Sequence, residues 1–160
     1  MNQNKIDPDK INLLNIKTVK GNIDGSSELE PGQITGHQVT FEVKWGMDSA
    51  QNIIGVLLSV FIQAIDSNGT ELDQRGSYTH ELVFRIQNLE DFIKYTEPKE
   101  GEKVPEVDYL LVSTLVSISI STVRGIVFSR TQGTSLGSVI LPIVDPKKFL
   151  EPVNILNEEK

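Results

Sequence analysis

The chain has 160 residues and a mass of 17.8 kDa, the size of one domain. It contains no cysteine, which excludes a disulfide framework, thiolate catalysis and Cys-ligated zinc or iron–sulfur centres. The formal net charge is −7, so a basic footprint for nucleic acid or an anionic membrane is not expected.

Residues 1–10 are polar and contain Pro8, and no apolar signal segment follows them. The expectation is a cytoplasmic protein. The reading is one domain over residues 11–151, with a polar tail over 152–160. Ile11 to Ile23 reads as an edge strand, with Leu14, Ile16 and Thr18 on one face. A loop follows from Asp24 to Gly36. Alternation then becomes strict: His37, Val39, Phe41, Val43 and Trp45 face one way, and Gln38, Thr40, Glu42 and Lys44 the other. Period two of this kind is a half-buried strand, with Gly46 bending or ending it.

Ile53 to Ile65 alternates with two apolar faces, which implies cover on both sides. Asp66-Ser67-Asn68-Gly69 is a turn, and that reading displaces the glycosylation sequon Asn68-Gly69-Thr70. Tyr78 to Ile86 returns, with Tyr78, His80, Leu82, Phe84 and Ile86 on one side. Short spacing between these runs predicts a four-stranded antiparallel meander. Asn88 is placed to cap a short helix through Tyr95, and the charged stretch from Thr96 to Pro105 reads as a surface linker.

Glu106 to Gln132 carries a conflict. Its Val, Ile, Thr and Ser content favours strand. Its length without Gly or Pro before Gly125 favours helix, which is the reading adopted. The uncharged apolar stretch from Tyr109 to Val123 is shorter than the ~20 residues of a membrane span. One helical stripe is Leu111, Leu115, Ile118, Thr122 and Ile126. The adjacent one is Tyr109, Val112, Val116, Ile120, Val123 and Val127. Together they are too wide for packing on one sheet, and small hydroxyl residues beside them let a second helix approach. Leu111, Leu115, Ile118 and Thr122 are therefore candidates for an oligomer interface. Thr134 to Val144 reads as extended and apolar. Asp145-Pro146 then starts a helix to Glu151. The fold class is α+β.

No catalytic constellation emerges. His37 and His80 occupy inward positions without a ligand-spaced partner on their own elements. No G-x-S-x-G elbow exists, and Gly133-Thr134-Ser135-Leu136-Gly137 lacks the Lys-Ser/Thr ending of a phosphate loop. Glu28/Glu30 and Glu90-Asp91 read as solvated acids, and Arg124 and Arg130 as helix-end cations. Neither an enzyme nor a bound cofactor or metal is expected.

The order of elements resembles the SecB family of bacterial export chaperones over Ile11 to Leu150. The meander, the long helix opening at Pro105-Glu106, the segment Ser121 to Arg130 (STVRGIVFSR) and the run Ile140 to Leu150 (ILPIVDPKKFL) carry the resemblance. It implies an ATP-independent holdase, a dimer of dimers, that binds unfolded polypeptides for export. The groove lies between sheet, crossover and second helix. The matching positions are Leu136, Ile140, Leu141, Phe149 and Leu150, with Phe61, Tyr78 and Phe84 from the sheet. Some SecB-like proteins serve an antitoxin in place of exported preproteins. A single-partner adaptor is the remaining alternative. Ser77 and Arg75 stand about where the family's SecA-docking patch has an acidic and an apolar residue, which counts against SecA as a partner.

Overall fold

The computed structural model describes residues 5–25, 28–30, 32–99 and 101–150. Four antiparallel strands form the main sheet: β1 (Ile11–Asp24), β2 (Gly36–Asp48), β3 (Ile53–Ile65) and β4 (Glu71–Ile86). Their order is β1-β4-β3-β2. Thus β2, β3 and β4 follow one another as a meander, and β1 lies beyond β4 as an edge.

The hairpin turns are held by acids. Asp48 Oδ1 accepts from the backbone N–H of Ala50 at 3.1 Å and of Gln51 at 3.2 Å. Asp66 Oδ1 accepts from the N–H of Asn68 at 2.8 Å and of Thr70 at 2.9 Å. Gly69 follows at φ +78°, a conformation that suits glycine. Gly46 does not end β2. It pairs directly with Gly55 of β3, and no atom lies within 4 Å of where either Cβ would be.

A second, two-stranded sheet consists of β5 (Ile93–Lys99) and β6 (Glu102–Val107). It corrects two expectations. The helix from Asn88 to Tyr95 is a one-turn 3₁₀ helix, Leu89–Phe92, followed directly by β5. Asn88 makes no capping bond to the backbone; its amide donates to Asp91 Oδ2 at 2.9 Å. The linker to Pro105 is the hairpin itself, where Lys94 stands opposite Glu106 and Thr96 opposite Val104. Opposite charges and a β-branched pair across the strands favour pairing that the prolines disguise.

The long helix α1 runs from Tyr109 to Thr131. It starts after Pro105-Glu106 because Val107 still belongs to β6 and Asp108 caps, accepting from the Leu110 N–H at 2.8 Å. Its Ser and Thr hydroxyls bond back one turn: Thr114 to the Leu110 carbonyl, Ser119 to Leu115 and Thr122 to Ile118, each at 2.8 Å. The hydroxyls are thereby satisfied inside the helix, including that of Ser119, which is fully buried. The helix is long and apolar enough to cross a membrane by length and composition. Half of the qualifying stretch is nonetheless buried within this fold, as in the core helix of a soluble domain.

The core lies between α1 and one face of the sheet. Ile54, Val56, Leu58, Val60 and Ile62 of β3 meet Leu111, Val112, Leu115, Val116, Ile120, Val123 and Val127 of α1 in one cluster. The other face of β3 carries Ile53, Leu57, Phe61 and Ile65 and is not covered by the helix. Cover on both faces is therefore corrected to cover on one. The chain after α1 makes successive tight turns through Val139 before it extends. The expected second helix is a single 3₁₀ turn, Pro146–Phe149, because its bonds span three residues and Leu150 closes it onto the Lys147 carbonyl. The end of that expectation, Glu151, lies outside the described residues, as do the tail 152–160 and residues 1–4.

Candidate functional site

The core-facing side of β2 is set by its register with β3. Val39, Phe41, Val43, Trp45 and Met47 stand opposite Ile62, Val60, Leu58, Val56 and Ile54. Two hollows open along this side, one toward each end of the strand. The larger, 480 Å³, is lined by Trp45, Pro105, Glu106, Val107, Tyr109, Val112 and Leu150. The smaller, 370 Å³, is lined by His37, Val39, Ser138, Ile140 and Pro142. Between them Phe149 packs edge-to-face on Phe41, with ring centroids 6.2 Å apart.

The expected groove residues divide. Ile140 is 73% exposed and lines the smaller hollow. Leu150 lines the larger, and Phe149 is half-buried between the two. Tyr78, Phe84, Leu136 and Leu141 are buried in the core, so they line no open surface of the subunit. The physical reason is depth: β4 is a central strand lying under α1 and the crossover. Leu136 sits so close over Gly76 that a Cβ there would meet its Cδ1 at 3.0 Å. Phe61 is exposed on the opposite face of the sheet, because its odd position in β3 points it away from the helix. Of the expected interface residues, Leu111 and Leu115 are fully buried against the sheet. Ile118 is exposed and Thr122 half-exposed on the outer side of α1.

Trp45, Tyr109 and Val107 were not singled out from the sequence as groove residues. The available signal was that Trp45, the chain's one tryptophan, ends a strictly alternating strand and is 41% exposed. Exposure of a large aromatic beside a hollow marks a binding surface.

Two buried histidines stand nearby. His80 is fully buried on β4, and neither ring nitrogen has a hydrogen-bond partner. Burial, and then the Arg130 guanidinium, hold its pKa below the usual 6.5. Burial lowers His37 likewise, and its Nε2 is also without a partner. Burial raises the Tyr78 hydroxyl, with Arg130 opposing. Among the described residues, no group of three or more His, Asp or Glu is arranged to hold a metal ion.

A SecB-like chaperone of Mycobacterium tuberculosis, solved in complex with a ChAD peptide from the HigA1 antitoxin, superposes with a TM-score of 0.58. The match covers 85% of this chain and 91% of that one at 13% identity. The fold is SecB-like. A protein of unknown function from Streptococcus agalactiae matches over 83% of this chain and 97% of its own, at 16% identity and a TM-score of 0.41. No family model and no curated protein matches the sequence. Within the SecB-like fold this chain has a sheet, one long helix, an extended crossover and only one turn of 3₁₀ helix after it.

Proposed function

We propose that this protein is an ATP-independent chaperone that binds a dedicated, incompletely folded client of the antitoxin type on the apolar surface beside β2. One observation carries the reading: a SecB-like fold over 85% of the chain coincides with two apolar hollows along one strand. Unfolded chains present apolar side chains and unpaired backbone, and such a surface recognises both. The M. tuberculosis chaperone was solved with an antitoxin peptide, which favours a dedicated client over a general exported one. In this reading the protein performs no reaction, uses no cofactor and works in the cytoplasm. It self-associates through apolar side chains that β1 and α1 leave exposed.

The test is native capture from producing cells, with an aggregation assay using a denatured client without ATP. One stoichiometric polypeptide whose aggregation is suppressed is the expected result. A broad set of exported precursors supports a general export holdase instead. No bound polypeptide and unchanged aggregation overturn both.

A further inference from the structure

The two edges of the sheet differ. In β1 the register with β4 shifts twice, between Leu13 and Asn15 and between Thr18 and Lys20. Bulges of this kind, with the lysines at 17 and 20, are devices that keep an edge from accepting another strand. In β2 the register runs from Gly36 opposite Ile65 to Asp48 opposite Ile53 without a shift. The strand contains no proline. It ends the sheet, so a row of its N–H and C=O groups faces away from β3.

Beside this unbroken edge lie the two hollows, one marked by Trp45 and one by Val39. Both residues are on the core-facing side of β2. Their positions differ by six residues, about 20 Å at ~3.3 Å per residue. Six is an even number, so a strand laid beside β2 points residues i and i+6 to the same face and over the two hollows. We propose that β2 is a docking edge at which an extended polypeptide segment adds as a fifth strand, seating apolar side chains at i and i+6 in the hollows of Trp45 and Val39. The inference rests on the polypeptide-binding reading and gives it a backbone geometry and a spacing. Backbone hydrogen bonds supply affinity that is blind to sequence, and the hollows supply the register. Phe149 on Phe41 fills the space between the hollows, so residues i+2 and i+4 of the segment need only be small or polar.

The probes are short synthetic peptides with Leu at i and i+6 in a background of Ser, Thr and Gln, followed by the fluorescence of Trp45, the chain's one tryptophan. A control carries Leu at i and i+5. The control puts the second Leu on the wrong face and is expected to bind roughly tenfold more weakly. N-methylation of single backbone amides is expected to weaken binding at every second position and to be tolerated between. Equal affinity for both spacings, or methylation effects without a period of two, overturns the docking edge. A disulfide trapped between two copies carrying Thr40→Cys, undisplaced by peptide, also overturns it by assigning the edge to a second copy. Suppressed client aggregation without spacing dependence leaves the chaperone reading standing and sinks the edge. Spacing-dependent peptide binding without any chaperone activity does the reverse.

Discussion

His80 is a polar ring in an apolar place. It is fully buried on β4, its two nitrogens are unpartnered, and Arg130 lies near enough to disfavour a second positive charge. An unsatisfied buried donor costs about 1–3 kcal/mol. Its pKa in the folded chain is below 6.5, so the unfolded chain takes up the proton first as the pH falls. Stability is therefore full above about pH 6.5 and declines as the pH drops from there toward the depressed folded value. His37, also lowered, adds with the same sign. Asp66 is lowered from the carboxylate value of 3.8, so its loss lies at more acidic pH and outside this window. Urea unfolding at pH 7 and pH 5.5 should show the lower midpoint at pH 5.5. His80→Leu should raise the midpoint at pH 7 by about 1 kcal/mol and flatten the pH dependence. An unchanged pH slope in that variant would remove His80 as its source.

At the scale of elements, α1 depends on its start. The helix is rich in Val, Ile, Thr and Ser, residues of modest helix propensity, and its first turn contains no acidic residue. The cap from Asp108 is then a principal local signal for where it begins. Asp108→Ala is expected to cost about 1 kcal/mol, read as a lower urea midpoint at pH 7 with the spectrum of the native fold retained. Much of this layer was legible in the sequence. Alternation located β2 and β3 within a few residues, because a half-buried strand imposes period two on its composition. The helix between Glu106 and Gln132 was legible from length, although its composition argued otherwise. The β5–β6 hairpin was not. It is a surface ribbon with Pro98, Gly101 and Pro105, and a ribbon of two strands tolerates residues that a central strand excludes. The candidate groove was half legible for a related reason. Pattern shows which side chains must leave water but not what covers them. Leu136 and Leu141 are covered by their own chain, whereas Ile140 is left open. Phe61 was assigned by the resemblance, although its parity in β3 already pointed it to the other face.

At the scale of the whole molecule, apolar surface is left over. Leu13, Leu14, Ile16 and Val19 are exposed on β1, and Tyr109, Leu110, Ile118 and Phe128 on α1. Clusters of this kind on a chain of net charge −7 favour association through the apolar surface while like charge limits further growth. Light scattering is expected to give about 71 kDa, four copies of the 17.8 kDa chain. Ile118→Asp, on the outer side of α1, is expected to reduce that mass with the circular dichroism of the fold intact. A wild-type mass of one chain would overturn the assembly.

The pairing of Gly46 with Gly55 bears on how selective the larger hollow can be. Trp45, one wall of that hollow, is carried by backbone that has no cross-strand side-chain brace at the next residue. Side chains across a strand pair ordinarily resist local twisting, and here that resistance is missing. The end of β2 can therefore twist at small energetic cost, which moves the indole relative to Tyr109 and Val112. The mouth is adjustable rather than cut to one shape. A site with an adjustable mouth discriminates poorly between a leucine, a methionine and a phenylalanine. Whatever selectivity this surface has must come from the positions of the side chains along a bound segment, not from their individual sizes.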